Sequence, residues 1–396
     1  MKEGWEYKKL GEVCDIVGGG TPDKKNKNFY GGNIPWATVR DMNVESVKHT
    51  EYSITKEGLD KSSSHIIHEG EVIIATRVGL GKVCLLEQDT AINQDLKGIV
   101  PKKNDINRKY LFYWFKFEAK NIISNGVGAT VKGVKLSFIN NLSFPCISLS
   151  EQHRIVSYLD AAFAKIDAVA KNAEDALNEA KALFQSALAK MMEPKEGWEE
   201  KKIRDIADVR SGYAFKSSEF KPNGKYQVLR IGNVKRGIIL YHVAPVFMPD
   251  SLASVVVNKS ILKKGDIIIT QTGTKSKGDY GYTAIVDCDN LLLNQRVARL
   301  RVNKEINLTF LLFYTWTKYF RDQFFSNEGG MVGQGNVSLE TIKQIKIIYP
   351  SIEEQVEIVS LLSTIYHKIE LLESNLSRTL TECAALKQSI LRQTFE

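Results

Sequence analysis

At 396 residues, 43% hydrophobic and 25% charged, the chain has the composition of a folded protein of two or three domains, which excludes global disorder. No apolar run approaches the roughly eighteen residues of a membrane span, and the start, Met1 to Trp5, lacks a signal-peptide core. The net charge of +8 is laid out unevenly, at +4 over residues 1–149, −2 over 150–194, +9 over 195–350 and −3 over 351–396, so a polyanion would be drawn to two basic blocks separated by acidic ones.

The opening "KEGWEYKKLGEVCDI", Lys2–Ile16, recurs as "KEGWEEKKIRDIADV", Lys195–Val209, 193 positions on and identical at eight of fifteen residues. The repeat continues through the whole chain. "HEGEVIIATRVG" (His68–Gly79) answers "KKGDIIITQTG" (Lys263–Gly273), each a turn feeding a buried β-branched strand. "INQDL" (Ile92–Leu96) answers "LNQRV" (Leu293–Val297). "INRKYLFYWF" (Ile106–Phe115) answers "INLTFLLFYT" (Ile306–Thr315), each read as a short buried helix.

After Pro145 and Pro350 come the pairs Glu151-Gln152 and Glu354-Gln355, then long stretches free of Pro and Gly. Alternating steps of four and three run from Ile155 through Val169 and Leu183 to Ala187, and from Ile358 through Leu372 and Leu376 to Ile390. They meet apolar residues at every position but Thr379. Two coiled-coil helices, each roughly 60 Å long, are predicted. A second apolar row on the first helix, including Phe163, Leu177 and Phe184, exceeds what one partner helix needs; it is either spacer packing or a docking surface for another subunit.

The expected fold is therefore α+β: two α/β recognition globules in a tandem pseudo-two-fold repeat, separated by two long antiparallel coiled-coil helices. The domains would be 1–150, a first recognition domain; 151–194, a helical spacer; 195–350, a second recognition domain; and 351–396, a C-terminal helical spacer.

Between the framework strands, basic and polar residues gather with glycines and aromatics. In the first globule "VGGGTPDKKNKNFYGGNIPWATVRDM" (Val17–Met42) supplies Thr21, Lys24, Lys25, Lys27, Asn28, Trp36 and Arg40. Arg77 and Lys82 follow, and "GATVKGVK" (Gly128–Lys135) adds Thr130, Lys132 and Lys135. In the second, "SGYAFKSSEFK" (Ser211–Lys221) gives Tyr213 and Lys216, and "RIGNVKRG" (Arg230–Gly237) gives Arg230, Asn233, Lys235 and Arg236. "TQTGTKSKGDYG" (Thr270–Gly281) gives Gln271, Thr274, Lys275, Lys277 and Tyr280, and "GGMVGQGN" (Gly329–Asn336) gives Gln334 and Asn336. Lys and Arg neutralise phosphates, while Arg, Asn and Gln can meet purine edges in pairs of hydrogen bonds. As a set on two basic globules these residues point to DNA; any one of them alone is a solvated loop residue.

Catalytic signatures are missing. Gly81-Lys82 and Gly224-Lys225 are followed by Val83 and Tyr226, not by the Ser or Thr of a phosphate loop. Gly18-Gly19-Gly20 runs into Thr21-Pro22, and no Pro-Pro dipeptide exists for an amino-methyltransferase motif. Pro22-Asp23 and Asp95-Leu96-Lys97 could form a nuclease pair only across some seventy residues. Five scattered cysteines and six scattered histidines give no metal spacing. A cytoplasmic, non-catalytic recognition protein without bound metal is expected.

The paired Gly-Trp openings, "GYAFKSSEF", the two Asn-Gln segments and the two "EQxxIVxxL" tails resemble type I restriction–modification specificity subunits over essentially the whole chain. The resemblance implies that each globule reads one half of a bipartite, asymmetric site in double-stranded DNA and that the helices set the spacing. It also implies that two modification (methyltransferase) subunits and, through them, restriction subunits assemble on the helices, which start at Glu151-Gln152 and Glu354-Gln355. S-adenosylmethionine, ATP and Mg2+ would sit on those partners, none on this chain, and no membrane is involved. The rival readings are a coiled-coil adaptor whose heads bind protein and an enzyme with an unrecognised site.

Overall fold

The computed structural model describes residues 2–128, 132–249, 251–326, 328–330 and 333–396. It divides into two compact units, residues 1–174 with 375–396, and residues 175–374. Each unit thus takes part of both long helices, which span Leu149–Met191 and Ile352–Phe395. No described helix is long and apolar enough to cross a membrane.

In the first unit a five-stranded sheet runs in the order Cys14–Gly18, Leu96–Pro101, Val72–Ala75, Val83–Leu86, Ser46–Val47. Val72–Ala75 is buried at all four residues, which explains its unbroken apolar run. Tyr30–Ala37 joins a second sheet, pairing antiparallel with Tyr52–Ile54 and parallel with Thr90–Ile92. The duplicated opening becomes a strand, Glu6–Lys9, paired with Ser143–Cys146 just before the long helix. The second unit repeats the plan, with Ala207–Ser211, Val297–Val302, Ile267–Thr270 and Thr283–Ile285 in one sheet and Glu199–Lys202 paired with Lys346–Tyr349. Two glycines fix the same close approach in both: a Cβ on Gly19 would lie 2.1 Å from the Asn93 carbonyl oxygen, and one on Gly212 2.2 Å from that of Asn294. The Asn-Gln segments recur because each backs a strand end that only glycine allows.

The aromatic helices start alike. The Asn107 side chain accepts from Lys109 N and Tyr110 N, and that of Asn307 from Thr309 N and Phe310 N. Asn107→Ala or Asn307→Ala should lower stability by about 1 kcal/mol each in urea unfolding, with Asp at either position close to neutral. The first helix, Arg108–Ser124, outruns its expected end at Phe115. The second stops at Tyr314 and restarts at Lys318. There the Thr315 and Thr317 hydroxyls donate back to Leu312 O (2.6 Å) and Tyr314 O (2.7 Å), and Thr317 Oγ1 then caps Phe320 N at 3.2 Å.

In each unit the two long-helix segments run in opposite directions. In the first, Cys383 lies against Ile166 and Lys387 reaches back over the Phe163 ring at 5.1 Å. In the second, Lys181 pairs with Glu373 (2.6 Å) and Phe184 packs on Tyr366 at 5.5 Å. The buried row departs from the strict alternation expected of it. Val169 and Leu183 are 54% and 61% exposed, whereas Phe163, Leu177 and Phe184 are buried. The aromatic helix of each unit, through Tyr113 and Phe313, covers Phe163 and Phe184 and so decides which face of the long helix is buried. The second apolar row is therefore no free docking surface: Phe163 meets Tyr113 (5.5 Å), and Phe184 meets Phe313 (5.8 Å) and Trp316 (6.1 Å), each within its own unit.

Gln152 and Gln355 also turn inward. Gln152 Oε1 accepts from Asn107 N (2.8 Å) while its Nε2 donates to Asp105 O and Ile147 O (both 2.9 Å). Gln355 does the same with Asn307 N (2.8 Å), Glu305 O (3.3 Å) and Pro350 O (2.9 Å). Each glutamine ties the first turn of a long helix to the start of an aromatic helix, so neither can meet a partner subunit. Their neighbours Glu151 and Glu354 stay half-exposed and pair with Arg154 (2.6 Å) and Lys195 (2.7 Å). Leu372 and Leu376 are half-buried.

Candidate nucleic-acid interface

Both units bring the same two loops together. In the first, the segment after the central buried strand meets the segment after the aromatic helix: Val127 and Gly133 bridge, and Val134 N donates to Thr76 O at 2.9 Å. This places Arg77 beside Gly133, flanked by exposed Lys132 and Lys135. Thr130 lies outside the described residues. In the second unit Thr272–Thr274 pairs with Gln334–Asn336, setting Thr274 opposite Gln334. Tyr280 closes under this ribbon, and a Cβ on Gly335 would fall 1.9 Å from its hydroxyl, so the loop needs glycine there.

The first unit adds an open cleft of about 600 Å³ lined by Thr21, Lys24, Tyr30, Trp36, Arg40, Tyr52, Gln94 and Asp95, among others. Its wall is aromatic: Trp36 lies edge-on to Tyr30 at 6.0 Å and to Tyr52 at 6.5 Å. Trp36 is only 6% exposed and its indole N–H donates to Gly20 O (3.1 Å), so it shapes the cleft and offers no free polar edge. Thr21 hydrogen-bonds Gln94. Arg77 reaches Asp95 at 3.6 Å, and Arg40 reaches Glu51 (3.3 Å) and the Tyr52 hydroxyl (3.2 Å). Hydrogen bonding to Glu51 raises the Arg40 pKa further above its ordinary value. Lys82 donates to Asn43 at 2.6 Å.

Lys24, Lys25, Lys27, Lys132, Lys135, Lys216, Lys235 and Lys277 make no ion pair among the described residues, which leaves their charge to the solvent side. Asn28, Gln334 and Asn336 are exposed, as is Tyr213, which rests on Phe215 at 5.0 Å. Lys275 pairs with Glu328 at 2.9 Å, and Arg230 donates to Ala244 O at 2.6 Å.

Three residues that the sequence offers for DNA contact hold their polar groups inside. Asn233 is buried and its amide donates to Leu240 O and Val243 O. Gln271 is buried and donates to Val337 O. Tyr280 is fully buried against Phe325 and Phe324. A polar side chain with no exposed edge cannot reach a base. Conversely, Tyr30, Tyr52 and Gln94 line the cleft without a sequence signal for contact, since the duplicated Asn-Gln segments marked Gln94 only as framework, and Asp95, which the sequence offered only for a nuclease pair, lines it too.

Among the described residues no three His, Cys, Asp or Glu side chains gather as a cation site. Burial pushes the Cys14 and Cys84 thiols up to about 12, which keeps both protonated and poorly nucleophilic.

The arrangement defines a class: a tandem pair of mixed α/β modules that offer cations without ion pairs, amides and aromatics on loops that differ between the two units over a shared framework. The family described as "Type I restriction modification DNA specificity domain" matches residues 2–179 and 195–382, and the chain belongs to it, carrying two such domains in tandem. The specificity subunit of the type I restriction enzyme MjaVIII of Methanocaldococcus jannaschii is 26% identical over 94% of this chain and 88% of its own length. The MjaIX specificity subunit of the same organism is 26% identical over 60% of this chain, and the EcoR124I/EcoR124II subunit of Escherichia coli 33% over 40%. The chain spans 59% and 41% of those two relatives. By fold it resembles a chain from a structure on complex assembly and conformational transition of the type I R-M system, with a TM-score of 0.75 at 19% identity, covering 100% of this chain and 98% of that one. The HsdS subunit of Thermoanaerobacter tengcongensis aligns at 0.55 and 20% identity, over 100% of this chain and 97% of its own.

Proposed function

We propose that this chain is the DNA sequence-specificity subunit of a type I restriction–modification complex, a recognition component that performs no chemistry itself. Each unit reads one half of a bipartite, asymmetric target in double-stranded DNA. The observation that carries the reading is the convergence in both units of the same two loops, which differ in sequence between the units and carry lysines without ion pairs, on a duplicated framework. Two modification subunits dock on the long helices and restriction subunits join through them. Exposed apolar residues support such docking: Tyr158, Val169 and Leu386 in the first unit, and Leu183, Leu361 and Leu371 in the second. S-adenosylmethionine, ATP and Mg2+ belong to those partners, and the complex works in the cytoplasm.

A salt titration of duplex binding by the chain with its modification subunits tests the reading. Five phosphate contacts imply a fall in affinity of about 500-fold between 50 and 200 mM salt. Weak, salt-insensitive binding would favour a protein-binding adaptor instead. The chain alone, given S-adenosylmethionine and duplex, should transfer no methyl groups.

A further inference from the structure

We infer that the second unit contains an oxyanion site between Arg236 and Arg321, and that it holds a backbone phosphodiester of bound DNA. Its occupant, though not its existence, rests on the function proposed above. The two arginines line one hollow of about 210 Å³ with Gly278, Gly281, Tyr282 and Trp316. Two sequence stretches singled out for their basic and glycine content, 230–237 and 270–281, meet there. Arg321 comes from the restarted helix Lys318–Ser326 and carries no sequence signal of its own.

Among the described residues neither Arg236 nor Arg321 forms an ion pair. The Arg236 guanidinium lies 4.7 Å from the Trp316 ring centre and that of Arg321 4.9 Å from Phe325. Arg321 also donates to Gly281 O at 3.4 Å. Burial, and then the Arg321 charge, hold the Arg236 pKa below its ordinary value; burial does the same to Arg321. Arg236 is exposed and Arg321 half-buried, and two like charges around one hollow repel each other until an anion joins them. Of the two carboxylates that line a neighbouring hollow with Arg236, Glu373 pairs with Lys181 (2.6 Å), and Glu370 forms no ion pair with either arginine.

The site is preorganised. The Trp316 indole N–H donates to Thr283 Oγ1 at 3.0 Å, and the ring packs on Phe313 (5.2 Å) and Tyr366 (5.2 Å). Gly237 and Gly281 sit at φ 78° and 70°, and a Cβ there would come 2.7 Å from the Tyr366 hydroxyl and 2.8 Å from Phe324. Guanidinium forks match the tetrahedral oxygens of phosphate, and two of them outmatch a single carboxylate. Lys235 and Lys277, next in sequence to the lining residues and without ion pairs, make the approach attractive to a polyanion.

The full chain should be melted in rising inorganic phosphate at constant ionic strength, alongside R236Q, R321Q and R321K. Phosphate should raise the wild-type melting temperature beyond the chloride control, both Gln variants should lose that response, and R321K should keep part of it. With a duplex of arbitrary sequence, each Gln variant should lose affinity about threefold to tenfold and reduce the salt slope by about one. A phosphate response shared equally by wild type and variants overturns the site. If the response vanishes in the variants while DNA affinity and salt slope stay unchanged and modification-subunit binding weakens, the occupant is an acidic protein group and the phosphodiester assignment is wrong. A wild-type chain that binds no duplex at low salt overturns that assignment together with the proposed function, while the phosphate arm alone still decides whether the oxyanion site exists.

Discussion

Replacing Gln355 by alanine should destabilise the protein by about 3 kcal/mol, with Gln152→Ala close behind. Each glutamine is buried and makes three hydrogen bonds to backbone, so truncation leaves the N–H of Asn307 or Asn107 and two partly buried carbonyls without their partner. Gln355→Glu should be worse than alanine. Its second oxygen would face the Glu305 and Pro350 carbonyls, which need a donor. Urea unfolding monitored by circular dichroism measures both. Losses below 1 kcal/mol for Gln355→Ala would show that the helix start is held by apolar packing around Ile358 and Leu362.

Exchange of residues 210–340 for the corresponding segment of another specificity subunit should abolish methylation of the native target, a loss of about 100-fold or more, and create a hybrid target that keeps one native half-site. The framework strands Glu199–Lys202 and Lys346–Tyr349 and the anchoring Gln355 all lie outside the exchanged segment, so the support of the long helix is left in place. The variable loops travel with it, including the ribbon of Thr272–Thr274 with Gln334–Asn336. Sequencing of methylated sites reads the outcome. Simultaneous change of both halves would mean that the units do not read independently.

Much of this was legible in the sequence because it is written twice. The repeated opening predicted an equivalent element in each unit, and both become a strand pairing with the segment before a long helix. Apolar runs such as Val72–Ala75 and Ile267–Thr270 declared buried strands. What stayed hidden was the side on which polar residues face. Asn233, Gln271, Gln152 and Gln355 look like ligands for a partner, yet Asn233 closes its own turn onto Leu240 O and Val243 O, and the three glutamines complete backbone hydrogen bonding that exists only once distant segments have packed. The seam error has a similar origin. A periodicity of 3.5 fits short windows as well as 3.6, and only the aromatic helices of each unit decide that Phe163 and Phe184, not Val169 and Leu183, are covered. Arg321 could not be foreseen because its meaning depends on Arg236, eighty-five positions away, sharing its hollow.

Mapping adenine methylation in cells expressing this chain with modification subunits tests most directly whether it carries two unlike readers. The result expected is one asymmetric motif, its two specified halves separated by a fixed run of unspecified positions. A continuous motif, or two identical halves in inverted order, would contradict it.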